Sequence, residues 1–77
     1  MADELEQIFR LTLEAPDADV DAVVRGEWGT WDSLAHASLV FTAEQELGVE
    51  FTPEEIEAID SLASLREVVR RAAAREA

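Results

Sequence analysis

The chain has 77 residues and carries 18 Asp and Glu against six basic residues, all of them arginine, for a formal charge of −12. This length allows one domain, residues 1–77, near the lower limit at which a hydrophobic core suffices without staples. The absence of cysteine excludes disulfides, thiolate metal sites and a cysteine nucleophile.

The charge disfavours nucleic acid as a partner, because that interface needs a basic face. It is also uneven: residues 1–65 hold 16 acids and two arginines, whereas Arg66, Arg70, Arg71 and Arg75 gather near the C-terminal end. Such a field steers association with basic surfaces and raises on-rate more than affinity. The opening MADELEQIFR is acidic and no long apolar run follows. We therefore expect no signal peptide, no membrane span and a soluble, cytoplasmic, monomeric protein.

Helical periodicity predicts a first helix from about Asp3 to Glu14, with Leu5, Ile8 and Phe9 on one face and Leu13 close to it. Asp3, Glu4 and Glu6 suit its positive end, and Pro16 stops it by removing a donor and pushing the preceding residue away from helical geometry. Asp17 to Thr30 then reads as a long loop anchored by Val20, Val23 and Val24. Loops of that length are usually functional or tied down by their own side chains. Asp17, Asp19 and Asp21 imitate the start of a calcium loop. Ala22 stands where that loop needs glycine and Trp28 where it needs a bidentate glutamate, so no metal site is expected.

The second helix is read over residues 33–47, SLAHASLVFTAEQEL, in which Leu39, Val40, Ala43 and Leu47 form one buried stripe. Gly48 can adopt the left-handed conformation that closes it, and Phe51 pins the next turn to the core. Thr52 as N-cap, Pro53 as first helical residue and Glu55 as reciprocal capping partner predict a short third helix over Pro53 to Ala58. The last helix follows Ser61, turns Leu62, Leu65, Val68 and Val69 inward, and accumulates arginine toward its negative end. The fold class is all-α: a small bundle of three longer helices and one short one, with a long first loop.

Chemistry concentrates at Trp31-Asp32-Ser33-Leu34, which opens the second helix. Ser33 falls in the first turn, where backbone N–H groups have no intrahelical partner and the dipole favours negative charge. A site poor in glycine and without lysine does not cradle a free nucleotide, but it can carry a covalently attached phosphodiester. Asp32 can cap the helix through its side-chain oxygen and, compatibly with that, orient or desolvate the serine when a modifying enzyme engages it. Leu34 is expected to face outward beside the serine; Phe41 either joins it in an exposed apolar strip or folds back onto the core. Trp28 and Trp31 flank Gly29 and are expected to anchor the loop, with a sharper role for Trp31 at the base of whatever Ser33 carries. His36 lies three residues after Ser33 and invites a serine–histidine reading, but no orienting acid, oxyanion hole or nucleophile elbow accompanies it. A second Asp-Ser-Leu occurs at residues 60–62, where Ser61 reads as the N-cap of the last helix.

With these residues the chain resembles the acyl carrier protein family, whose Asp-Ser-Leu begins the second helix. Asp32-Ser33-Leu34 matches the motif, Glu44, Glu46 and Leu47 match the acidic end of that helix, and residues 48–51 and 52–56 match the turn and short helix after it. The resemblance implies that Ser33 receives a 4′-phosphopantetheine arm from coenzyme A through a phosphopantetheinyl transferase. It implies a carrier and not an enzyme, holding an acyl group as a thioester for acyl-loading and acyl-processing enzymes with basic docking surfaces. Asp32, Leu34, Phe41 and Glu44 are the interface residues this implies. Fatty-acid carriers usually have glycine three residues before the serine and acids along the exposed face of the second helix, where this chain has Thr30, Ala35 and Ser38. The form seen here looks more like discrete carriers of specialised clusters that load small glyceryl-derived or polyketide units. An aminoacyl or peptidyl carrier, including a D-alanyl carrier, is the nearest alternative, and an acidic helical interaction module is the alternative from another class.

Overall fold

The computed structural model describes residues 3–17 and 19–76, the side chain of Glu76 excepted. The expected 1–77 extent of the domain therefore includes positions 1, 2, 18 and 77, which lie outside the described residues. Among the described residues there are four α-helices and no strand: α1 (Glu4–Thr12), α2 (Ser33–Leu47), α3 (Pro53–Ala58) and α4 (Leu62–Glu76), with a single 3-10 turn at Val20–Ala22. The helices α1 and α2 pack together, α4 lies against α1 and α3, and the 3-10 turn rests on α4. The core is built from Leu5, Ile8, Phe9 and Leu13 of α1 and its end, Leu39, Val40 and Ala43 of α2, and Leu62, Leu65, Val68 and Ala72 of α4. Leu47 and Val69 are only half-buried against it, and Ala72, read from the sequence merely as a helix former, is fully enclosed.

The first helix ends two residues before the expected Glu14. Leu13 caps it and Glu14 takes the left-handed conformation at φ 55°. The Ala15 N–H reaches the Arg10 carbonyl at 2.8 Å and the Glu14 N–H reaches the Leu11 carbonyl at 3.4 Å, the bond pair of a Schellman motif. Pro16 thus follows a helix already closed. Arg10 secures the turn by donating from Nη1 to the carbonyls of Ala15 at 3.0 Å and Pro16 at 3.2 Å.

The long loop is held at several points. Val23 is fully buried and Val20 packs on the core. The Arg25 N–H donates to the Asp60 carbonyl at 3.0 Å, joining the loop to the α3–α4 junction. Gly26, at φ 97°, occupies the third position of a tight turn closed by the Glu27 N–H on the Val24 carbonyl at 3.1 Å; residues with a Cβ rarely adopt that conformation. Trp28 Nε1 and Thr30 Oγ1 both donate to the Leu13 carbonyl, the first at 3.1 Å, so one acceptor at the end of α1 gathers the end of the loop. The hydroxyl of Thr30, where fatty-acid carriers usually have glycine, is one of these ties.

The remaining boundaries match the sequence reading. Asp32 accepts the Ala35 N–H at 2.8 Å as N-cap of α2, and Gly48 closes that helix at φ 65°. Thr52 and Glu55 form the reciprocal capping box of α3, with Pro53 in its first turn. A bidentate fork from Arg75 to Glu55, both bonds at 2.9 Å, then ties the end of α4 to α3. That fork is the first cause holding the Glu55 carboxyl at about 2, aided by the Thr52 N–H.

Candidate functional site

Ser33 is exposed at the first residue of α2, and its hydroxyl makes no hydrogen bond to the described residues. Asp32, immediately before it, spends Oδ1 on the cap and so fixes the turn that presents the serine. The second Asp-Ser-Leu is engaged differently. Ser61 is half-buried, its Oγ accepts the Ser64 N–H at 3.2 Å, and its own N–H donates to Ser64 Oγ at 3.0 Å. This is a reciprocal cap at the start of α4, with Ser64 Oγ also taking the Asp60 N–H at 2.9 Å. The two copies of the tripeptide therefore differ in structure: one serine is presented to solvent, the other is absorbed in a cap.

Beside Ser33 opens a cleft of about 590 Å³ lined by Arg25, Gly26, Trp31, Asp32, His36 and Glu57. Its floor is a hydrogen-bonded relay. Trp31 is 5% exposed and packs edge-on against Phe9, with ring centroids 5.5 Å apart and planes at 81°. Its indole Nε1 donates to His36 Nδ1 at 3.0 Å. Indole nitrogen only donates, so Nδ1 must be an acceptor and neutral His36 carries its hydrogen on Nε2. Nε2 in turn donates to the Ile56 carbonyl at 2.9 Å. The loop, α2 and α3 are thereby stitched together through one imidazole.

Arg25 completes the relay. Its Nη2 donates to the Glu57 carbonyl at 2.7 Å, while Nη1 lies 3.0 Å from His36 Nε2 and 3.4 Å from Nδ1. A nitrogen so close to both ring nitrogens cannot lie in the ring plane, where Cε1 would block it. It lies over the imidazole face, a stacked cation–aromatic contact.

The expected residues are distributed as follows. Leu34 and Phe41 are 77% and 63% exposed, so Phe41 points outward and does not fold back. They stand seven residues apart on α2 and share a face. Glu44 is half-buried, and its Oε2 accepts the Phe51 N–H at 2.9 Å, which holds the turn after α2. Trp28 and Trp31 both anchor the loop, and Trp31 also lines the cleft. Both ring nitrogens of His36 are engaged with Trp31 and Ile56, so its hydrogen bonds serve packing between elements and leave no base directed at Ser33. Sequence reasoning missed Arg25 and Glu57 as cleft residues. The available signal was that Arg25 is one of only two arginines in residues 1–65 and precedes Ser33 by eight positions.

An exposed, uncommitted hydroxyl on a rigid helix start, beside an open cleft of mixed polar and apolar lining, fits a bulky group attached through oxygen. No helix among the described residues is long and apolar enough to cross a membrane. No curated protein and no solved structure gives a match to the chain. The family model for the phosphopantetheine attachment site matches residues 3–71, nearly the whole chain. Domains of this kind are generally non-catalytic carriers of 4′-phosphopantetheine that meet a phosphopantetheinyl transferase and partner enzymes. The chain belongs to the phosphopantetheine-attachment family of carrier proteins.

Proposed function

We propose that this chain is an acyl carrier protein, one domain over residues 1–77, with the 4′-phosphopantetheine arm on Ser33 and a small polar acyl unit of a specialised pathway as cargo. The observation that carries the reading is the exposed Ser33 hydroxyl opening onto a cleft around which the polar side chains of Arg25, Asp32, His36 and Glu57 are set. Those four side chains offer hydrogen-bonding and charged partners to a short oxygenated unit, whereas a long hydrocarbon chain gains most from apolar burial. Thr30, Ala35 and Ser38, which depart from the fatty-acid pattern, point the same way.

When bound, the arm supplies a terminal thiol that holds the acyl group as a thioester. The chain's own contribution is positioning. Asp32 keeps the turn under Ser33 fixed, and the relay from Trp31 through His36 to Ile56 keeps α2 registered on the loop and α3. Leu34 and Phe41 form the apolar centre of a docking surface, with Asp32 and Glu44 as its acidic rim. The transferase and the acyl-loading and acyl-processing enzymes present basic surfaces to it, drawn by the acidic field of residues 1–65. The chain performs no catalysis, and it works as a monomer in the cytoplasm.

Intact mass of the protein purified from its producing cells tests this. A Ser33-linked arm bearing a short hydroxylated or carboxylated acyl increment is expected. A long saturated acyl increment or an aminoacyl increment contradicts the cargo assignment.

A further inference from the structure

Five of the six arginines make an ion pair with a carboxylate: Arg10 with Glu6, Arg66 with Asp3 and Glu6, Arg70 and Arg71 with the shared Glu67, and Arg75 with Glu55. Arg25 is the exception, since among the described residues no carboxylate lies within 4.0 Å of it. In a chain with three acids for every base, this is the least expected state for a guanidinium. Its contacts fix it without cancelling its charge: the Glu57 carbonyl on Nη2 and the face of neutral His36 under Nη1. It shares the 590 Å³ cleft with Ser33. Ser33 and His36 are three residues apart on one face of α2, and Arg25 rests on His36, so a group attached at Ser33 Oγ enters the cleft close to the guanidinium.

We propose that Arg25 is an anion-binding residue for the arm: it pairs with an anionic oxygen delivered covalently from Ser33, in the first place the phosphodiester joining arm to serine. The proximal arm is thereby seated in the cleft between the start of α2 and the end of α3. This rests on the reading of Ser33 as the attachment residue. A guanidinium suits phosphate oxygens because its planar donors match their spacing. Asp32 and Glu57 line the same cleft and repel anions arriving from solution. A tethered anion overcomes that repulsion because its effective concentration reaches roughly millimolar. Arg25 should therefore respond to the attached phosphodiester and ignore free phosphate.

The test compares apo protein, holo protein made with coenzyme A and a transferase, and holo protein loaded with acetyl or malonyl, each verified by intact mass against Ser33→Ala. The Arg25 Nε–Hε resonance and the phosphorus resonance are recorded. The proposal expects the Arg25 resonance to move on conversion to holo and to stay still when inorganic phosphate is added to apo protein. It expects Arg25→Gln to shift and sharpen the phosphorus resonance, with Arg25→Lys restoring part of the wild-type value. An equal response in free-thiol, acetyl and malonyl forms assigns the phosphodiester as the anion; a response confined to malonyl assigns the cargo carboxylate to the same residue. An Arg25 resonance that is unchanged in every Ser33-modified form overturns the proposal while leaving the carrier reading intact. Failure of an active transferase to modify Ser33 overturns both.

Discussion

Trp31 donates its indole N–H to Nδ1 of His36 across 3.0 Å, and that single bond sets the tautomer of the histidine and aims its Nε2 hydrogen at the Ile56 carbonyl 2.9 Å away. The loop, α2 and α3 meet at this imidazole. Trp31→Phe retains most of the ring packing on Phe9 but leaves Nδ1 without its donor. Leaving a partly buried acceptor unpaired costs about 1–3 kcal/mol, so urea unfolding should show a loss of that order. A change within a few tenths of a kcal/mol would mean that water replaces the indole freely and that the relay is not a structural tie.

Glu14 stands at φ 55°, a conformation that costs a residue with a Cβ roughly 1–2 kcal/mol, and its charge sits at the negative end of α1. Glu14→Gly should therefore raise stability by about 1 kcal/mol, with Glu14→Gln recovering only the electrostatic part. Thermal melts of the three proteins check this. A Glu14→Gly protein less stable than wild type would contradict the strain assigned to the turn.

The Arg75 fork holds Glu55 at about 2 instead of its ordinary 4.5. A carboxylate depressed in the folded state adds stability that is fully present above its unfolded value and is lost as pH falls through its folded value. The stability gap between wild type and Arg75→Ala should accordingly be widest at neutral pH and close between about pH 4.5 and 2. Melts of both proteins across that range read it directly, and a gap independent of pH would show that Arg75 stabilises without Glu55, through contacts such as its bond to the Glu50 carbonyl.

Leu34 and Phe41 expose large apolar side chains on one face of α2 without contributing to the core. Leu34→Asp and Phe41→Asp should leave the melting temperature nearly unchanged and lower transferase kcat/KM by about tenfold or more, as expected where a docking anchor is worth over 1 kcal/mol. Unchanged kcat/KM in both variants would remove this face from the docking surface.

The elements that the sequence announced are those governed by local rules. Thr52, Pro53 and Glu55 specify α3 because each supplies or removes a particular backbone partner, and Gly48 ends α2 because it accepts a positive φ. The end of α1 was harder to read, since no residue type there favours the left-handed conformation that Glu14 adopts; the turn is held by Arg10 bonding to carbonyls five and six residues away. The serine was legible from its motif and helical register. The cleft beside it was not, because Arg25, His36 and Glu57 come from three segments that only the fold brings together. Glu44 shows the same limit: its place in the acidic pattern is visible in the chain, while its bond to the Phe51 N–H depends on how the next turn folds.

The most direct test of the account is intact mass after incubation with coenzyme A and a broad-specificity phosphopantetheinyl transferase, for wild type, Ser33→Ala and Ser61→Ala. The exposed serine at the start of α2 and the capped serine before α4 predict one added phosphopantetheine in wild type and Ser61→Ala and none in Ser33→Ala. Addition that persists in Ser33→Ala, or disappears in Ser61→Ala alone while that variant remains folded, would contradict it.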